Sequence, residues 1–567
     1  MDQASNTPRY RILNLICLGL IVAAIWTLFG KTLGFDFLSW DDDQNVLNNR
    51  WLYPGLWWQF WFKPYLCMYL PPVYTAWYAL ARLDDQPNPL FFHALNVTVH
   101  TINSLLVFYV AKNSFLSDQK KASLHYNTEL RIRALVAATL AALSFALHPI
   151  QVEAVAWVTG LRDLLGAFGL LVATALYIRG PSSLKLSVCS WAAFVFAMLC
   201  KPSAVAFPAA ILGLVYIEKS YSLTSTLRRL VPWFLSTIPI ILVTSSAQTE
   251  IADRELAQVN LWQRILVTFD SYAFYLKKWV LPFGLTNDYG RRPAVALGDQ
   301  NLIANVIITV AAIIALTLLS KKLGRRFLAW CFFSAAMVLP TSGIVTFPFQ
   351  HTSTVTDHYF YLSIAGFSLA LGTAIFSCRS RLVAIAVSFL LVTYSVLDLK
   401  QLPRWQNDQQ MFPAMVADNP NSYAGYTGMA ALAMKDKRRL DALKYLEAAQ
   451  KIDPNKVDLL ANKGLVLNEL GRYQDVLTEL GRVLPARSII IDSPVSAPSV
   501  SIYYMMIAYA HIRLDQIDQS LPYLCRAKIA DPTNKDVIGF MPLVLKQLGH
   551  KPFDQEICQG LKAVIEW

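Results

Sequence analysis

Three adjacent aspartates, Asp41, Asp42 and Asp43, stand in the stretch FDFLSWDDDQNVLNN, within ten residues of the end of an apolar run. A carboxylate beside a bilayer is costly unless it works or faces a water-filled cavity. Neighbouring carboxylates also raise one another's pKa. One of them, held beside a cavity, could act as a general base toward a hydroxyl. The same trio could equally be a solvated, helix-capping acidic run.

Further along, ALHPIQVEAVAWVTGLRDLLGAFGLL offers more of the same chemistry. Helical spacing puts Glu153 and Trp157 on one face. Arg162 could meet a phosphate at the membrane surface, and Asp163 suits a first helical turn, where the helix dipole favours an acid. His148, before Pro149, reads as a polar helix end or a ligand. Lys201 sits in a short turn, FAMLCKPSAVAF, where a lone lysine either snorkels to headgroups or holds a lipid-linked phosphate as a point charge. LPFGLTNDYGRRP adds Asp288, Tyr289, Arg291 and Arg292, and HTSTVTDHYFYL adds His351, Asp357, His358, Tyr359 and Tyr361. The wide spacing of the histidines is no metal motif. No metal site is assigned, and a divalent-metal requirement stays open.

What must position these residues is a membrane domain. The chain has 567 residues, 55% of them hydrophobic and only 16% charged, with a mean hydropathy of +0.38. Soluble domains carry about 25% charge, so the composition argues against a water-soluble enzyme and excludes a disordered chain. The eight cysteines form no CxxC pair. Apolar stretches near the length of a bilayer span, about 20 residues, recur at 11–33, 89–111, 131–147, 162–178, 186–200, 203–217, 230–246, 301–319, 327–342, 359–377 and 382–398. That gives about eleven transmembrane helices. The first is too long for a signal-peptide core and is kept as a span. Residues 265–283, with Lys277, Lys278 and several aromatics, suit an interfacial helix better than a span.

Orientation follows from lysine and arginine in the short loops. With Arg9 and Arg11 in the cytoplasm, alternate loops carrying Lys112, Lys120, Lys121, Arg131 and Arg133, then Arg179 and Lys185, then Lys219, Arg228 and Arg229, then Lys321, Lys322, Arg325 and Arg326, then Arg379 and Arg381, also fall inside. Loops 34–88, 148–162, 247–300 and 343–358 fall outside. An odd number of spans puts everything after 399 outside too. The net charge of +12 is then mostly a cytoplasmic-loop signal and weak evidence for nucleic acid. The expected location is an integral membrane protein: a bacterial inner membrane with the tail in the periplasm, or an endoplasmic reticulum membrane with a lumenal tail in a eukaryote.

The tail, 403–567, is charged, helical in period and repetitive. Asn419-Pro420-Asn421 and Asp453-Pro454-Asn455 lie one 34-residue period apart, and Asp531-Pro532 follows two periods plus about ten residues later. Ala442, Leu446, Ala449 and Pro454 recur in spacing as Ser520, Leu524, Ala527 and Pro532. Small residues at helix crossings, with proline at the end of a 34-residue unit, form the tetratricopeptide signature. The extra ten residues are the proline- and serine-rich insert at 485–499, read as a loop. Cys525 and Cys558 share the oxidising side if the source is bacterial, and could pair. The expected fold class is all-α: a polytopic helical membrane domain, 1–398, followed by an extracytoplasmic α-solenoid, 403–567.

At this point the stretches SWDDDQNVLNN, FFHALNVTVHTINSLLVF, LHPIQVEAVAWVTGLRDLLGAF, CKPSAVAFPAAIL, YLKKWVLPFGLTNDYG and TDHYFYLSIAGF carry a resemblance. The chain resembles the transmembrane and tetratricopeptide-repeat O-mannosyltransferase family and its bacterial relatives, of the GT-C class of glycosyltransferases, from about residue 35 onward. It departs from that family at Gly160-Leu161, where relatives often have Glu-Arg, and at His358, where an Arg-Tyr pair is usual. The resemblance implies a polyprenyl-phosphate-linked sugar as co-substrate, inversion at the anomeric carbon, and a catalytic carboxylate in Asp41-Asp42. Glu153 would orient the acceptor or assist. Arg162, Lys201 and Arg291 would hold the donor phosphate, and Asp43, His148, Asp163, Arg292, His351, Asp357, His358 and Tyr361 complete the candidate residues. The expected partners are the lipid-linked sugar, membrane lipids, and an acceptor protein or peptide on the repeats; nucleic acid is not expected. Two other readings remain at this stage. One is the same donor chemistry on a lipid-linked or cell-wall glycan. The other is a non-catalytic scaffold or transporter, with the repeats as a partner-docking module.

Overall fold

The computed structural model describes residues 8–121, 128–179, 183–218, 222–248, 259–378, 380–454, 456–481, 497–549 and residue 558. Lys219, Arg379, Asn455 and most of the 485–499 insert lie outside these. The chain forms two compact units, Met1–Met411 and Phe412–Trp567. The division falls beyond 398–403 because the start of the tail packs with the first unit. Asp36 N donates to Gln406 O, Arg404 donates to Leu285 O, and Ser39 donates twice to Asp408.

Among the described residues the first unit is built of helices and connecting loops, and its one β contact is an isolated bridge between Tyr65 and Met68. Its helices are α1 (Pro8–Phe29), α2 (Pro71–Leu80), α3 (Pro89–Lys121), α4 (Thr128–Ala146), α5 (Gln151–Ala156), α6 (Leu161–Arg179), α7 (Leu184–Cys200), α8 (Phe207–Glu218), α9 (Leu223–Gln248), α10 (Leu261–Val280), α11 (Pro293–Gly298), α12 (Leu302–Leu323), α13 (Arg325–Val338), α14 (Tyr361–Cys378) and α15 (Arg381–Gln401). In lipid every backbone N–H and C=O needs an internal partner, which the helix supplies within one segment. A helix stands at each of the eleven expected spans. Among the described residues, seven are long and apolar enough to cross a membrane: α1, α3, α6, α9, α12, α14 and α15. Helices α7 and α8 are apolar but shorter. The first turns of α4 carry Glu129, Arg131 and Arg133, and α13 opens on Arg325 and Arg326. The protein is an integral membrane protein.

Helix α10 is amphipathic and is not one of the seven. It packs along α12, where Thr309 donates to Phe269 O, and against the 343–356 segment, where Gly343 lies against Val267 and Thr356 O accepts from Tyr275. Its C-terminal end is tied down where Trp279 O accepts from His148 Nε2.

The second unit is a run of helix pairs. Helix α16 (Asp408–Asp418) carries the boundary. It is followed by α17 (Tyr423–Lys435), α18 (Arg439–Ile452), α19 (Val457–Glu469), α20 (Tyr473–Leu480), α21 (Ala497–Arg513), α22 (Ile517–Ala530) and α23 (Lys535–Gln547). The residues expected at helix crossings, Ala442, Leu446, Ala449, Ser520, Leu524 and Ala527, are all buried. The turn that closes each first helix repeats as well. Lys437, Gly471, Asp515 and Gly549 all have positive φ, at intervals of 34, 44 and 34 residues. After the first three, the next N–H reaches back to Ala433, Leu467 and His511. That bond closes a Schellman motif. The long middle interval matches the period plus the insert. Cys525 of α22 is disulfide-bonded to Cys558 and packs with Met541, Val544 and Leu545 of α23.

Candidate active site

The aspartate trio is held by the loop that carries Glu153, more than a hundred residues away. Trp157 Nε1 donates to Trp40 O at 2.8 Å. Thr159 donates twice to Asp42 Oδ1, from its N at 3.0 Å and its Oγ1 at 2.6 Å, and Leu38 N donates to Oδ2 at 3.1 Å. Asp42 is fully buried: its Oδ1 holds the two loops together, and its Oδ2 closes its own loop. The turn that supplies Thr159 is built around Gly160, because any side chain there would run into the carbonyl of Ala154.

Asp41 differs in every respect. Its backbone φ is +72°, a left-handed conformation that costs most residues energy but is tolerated best by Asp and Asn. Its carbonyl accepts from Asn45 N and Nδ2, which locks the turn and leaves the carboxylate out of these bonds. The side chain is accessible, yet it sits in a recess close enough that burial raises its pKa, with Arg162 opposing. Asp43 is partly exposed and bonds to Gln44 N.

Opposite stands a cation cluster. Lys201 Nζ pairs with Asp163 Oδ1, and Arg162 Nε lies 3.6 Å from Asp163 Oδ2. The sequence brings them together through Gly166 and Gly169: with no Cβ, α6 packs directly on Ala193, Ala197 and Lys201. Lys201 lies 5.3 Å over the ring of Tyr359, and the Arg162 guanidinium 4.9 Å over Trp157. Asp163 pairs with Lys201, whose ammonium burial and the Arg162 charge press well down, so the positive charge that the cluster presents to the recess rests chiefly on Arg162. Arg162 Nη1 rests 3.6 Å from Met68 Sδ, a weak acceptor that a phosphate oxygen would outcompete. Met68 is presented there by a two-residue turn in which Leu66 and Cys67 both have positive φ. Such turns are normally made by Asn-Gly, so the strain at 66–67 marks a place where the chain is held for its surroundings.

Glu153 points elsewhere. Both its oxygens engage His358: Oε2 accepts from the backbone N at 3.0 Å, and Oε1 lies 2.9 Å from Nδ1. Burial raises the pKa of Glu153, against the pull of those bonds and of Arg162 and Lys201. Asp357, next in the chain, accepts from Tyr289 OH at 2.7 Å; burial and the Glu153 charge push its carboxyl well up. Glu153 thus clamps the 353–358 strap to the loop that holds Asp42.

The remaining candidates lie apart. Ile150 N donates to His148 Nδ1 and His148 Nε2 contacts Trp279 O, so the ring is the Nε2–H tautomer; burial brings its pKa down to about 4. Tyr361 OH bonds His100 and Asn103 inside the bundle. His351 contacts Pro348 O, and Arg292 opens α11. Arg291 is held by Asp270 and Asp299. Among the described residues no three His, Cys, Asp or Glu side chains converge as metal ligands would. Thr159 and Met68 carried no signal in the sequence, since each matters only through a partner far along the chain.

Asp42 offers a test of this clamp. Burial, the largest influence, raises its carboxyl to about 7, against the bonds from Thr159 and Leu38. The unfolded value is about 3.9. A raised carboxyl favours folding when protonated, so this contribution is complete below about pH 4 and is lost as pH rises through 7. Asp42→Asn cannot titrate. The melting temperature of the wild type, relative to that variant, is expected to fall between pH 4 and 7. A difference that stays flat across that range would refute the assignment.

The fold and site define a polytopic, all-helical membrane protein whose helix-end loops bring a free aspartate opposite a cation pair, joined to a tetratricopeptide-like solenoid. No protein-family model matches the chain. It is similar to protein O-mannosyl-transferase TMTC3 of Homo sapiens, 22% identical over 525 residues, which is 82% of this chain and 54% of that protein. The Mus musculus TMTC3 is 23% identical over 518 residues, 80% of this chain and 53% of that protein. Protein O-mannosyl-transferase TMTC1 of Mus musculus is 29% identical over 186 residues, 31% of this chain and 18% of that protein. The chain spans about half the length of the TMTC3 relatives. These relatives bear out the family resemblance carried by the motifs.

Proposed function

We propose that the protein is a membrane glycosyltransferase that moves a sugar, mannose by analogy with its relatives' names, from a polyprenyl-phosphate-linked donor to a hydroxyl of an extracytoplasmic protein. The observation that carries this reading is the division of labour between Asp41 and Asp42: one carboxylate spent on structure, its neighbour left accessible opposite Arg162. Asp41 takes the proton of the acceptor hydroxyl. The acceptor oxygen then bonds the anomeric carbon from the face opposite the phosphate. The bond from that carbon to the phosphate oxygen breaks, its electron pair stays with the phosphate, and the configuration inverts. A phosphate leaving group needs charge stabilisation rather than an acid, which Arg162 and Lys201 supply. Glu153 acts as a positioning residue through His358.

The lysine and arginine distribution supports an extracytoplasmic site and repeat unit. The Cys525–Cys558 disulfide supports the same compartment for the repeats, because disulfides persist where the surroundings are oxidising. The repeats present the acceptor protein. Intact masses of extracytoplasmic proteins, compared with and without the gene, test the function. Loss of a hexose from at least one of them is expected; unchanged masses together with no donor turnover by purified protein would overturn it.

A further inference from the structure

A second polar recess lies beside α10, away from the aspartates. It is a cavity of about 370 Å³ whose lining includes Phe274, Lys277, Arg291, Asp299, Asn305 and Ile308, a size within the range of ligand sites, about 300–1,000 Å³. Its floor is a fixed network. Buried Asp270 accepts from Arg291 Nε and Nη2 at 2.5 Å each and from Asn305 Nδ2 at 2.6 Å. Lys277 Nζ donates to Asn305 Oδ1 at 2.7 Å, and Arg291 Nη2 also reaches Asp299 Oδ2 at 2.9 Å.

That network leaves donors over. An ammonium has three N–H groups and a guanidinium five. The Asn305 bond uses one from Lys277, and Arg291 Nη1 takes no part in the bonds to Asp270 and Asp299. Asp299, partly exposed, keeps acceptor capacity on the rim; hydrogen bonds from Asn301 and Arg291 hold it well ionised. Two cations and two carboxylates balance, so the recess exerts no net pull on a simple anion.

The position is that of a lipid headgroup. Asp299 and Asn301 stand at the start of α12, a span whose Ile303, Ile307, Ile313 and Ile314 are exposed. Ile308 is six residues down that helix, about 9 Å at 1.5 Å per residue. The cavity therefore runs from the polar surface layer of a bilayer, roughly 5–7 Å deep on each side, into the first hydrocarbon.

We propose that this recess seats the headgroup of a zwitterionic phospholipid bearing a primary ammonium, with the phosphodiester against Lys277 and Arg291 and the ammonium on Asp299. An anionic lipid without an amine, such as phosphatidylglycerol, lacks the group for Asp299. A quaternary ammonium cannot donate the hydrogen bond that the Asp299 oxygens accept. This inference does not depend on sugar transfer.

The test is native mass spectrometry of the full-length protein, delipidated in detergent and supplied with phosphatidylethanolamine, phosphatidylcholine or phosphatidylglycerol. Retention of phosphatidylethanolamine at least fivefold above the other two is expected. Ile308→Trp, which fills the cavity without touching a charge, is expected to abolish that preference at an unchanged melting temperature. Asp299→Asn is expected to bring phosphatidylethanolamine down to the level of phosphatidylcholine. Equal retention of the three lipids, or a preference that survives both substitutions, would overturn the proposal. So would soluble glycerophosphoethanolamine displacing the lipid at equal concentration, which would assign the recess to a free phosphodiester.

Discussion

Asp41→Asn is expected to lower sugar transfer by about 10²–10⁴-fold, the range for loss of a general base, while the protein melts where the wild type does. The separation of effects follows from the loop. Its shape depends on the Asp41 carbonyl, which Asn45 holds, and on the Asp42 carboxylate, which Thr159 and Leu38 hold. The Asp41 carboxylate enters none of those bonds, and asparagine tolerates the same positive φ. Donor turnover and a melting curve on the same preparation make the check. Wild-type turnover in this variant would remove Asp41 as the base. The wild-type rate should also climb with pH through an acid limb above the ordinary aspartate range, because burial raises the Asp41 pKa.

Arg162→Ala is the second large effect, about 10²–10³-fold in turnover, comparable to removing one preorganised donor from a developing oxyanion. It is a cleaner probe than Lys201. Removing Lys201 would strand buried Asp163, at a cost of several kcal/mol, whereas without Arg162 the Asp163–Lys201 pair persists. Arg162→Lys is expected to restore little, since an ammonium lacks the planar fork. The Arg162 charge also lowers the Asp41 pKa. The acid limb of whatever activity is left should therefore move to higher pH in Arg162→Ala. An unmoved limb would separate the two residues.

How much of this was legible from residues alone depends on distance along the chain. Spans and repeats are local patterns. Apolar runs mark the first, and a 34-residue period with small residues at Ala442, Ala449, Ser520 and Ala527 marks the second. The Schellman turns were hidden because only Gly471 and Gly549 carry the expected residue, while Lys437 and Asp515 take the same conformation without it. The aspartate trio was visible, but the difference between its members was not. That difference rests on a backbone angle at Asp41 and on Thr159, 117 residues from Asp42. Arg291 looked like Arg162, a cation in a loop near a span. Only the approach of Asp270, on another helix, gives it a different role. Glu153 read as an acid for the acceptor because its tie to His358 spans 205 residues.

The link between Cys525 and Cys558 has a consequence for how the protein is made. Helix α22 cannot acquire its covalent closure until Cys558 has emerged and met a thiol oxidant. Recombinant material assembled in a reducing cytosol would share every residue with the native protein and still lack that closure. Side-by-side proteolysis of oxidised and reduced samples is therefore the first quality control that any functional assay of the repeats requires.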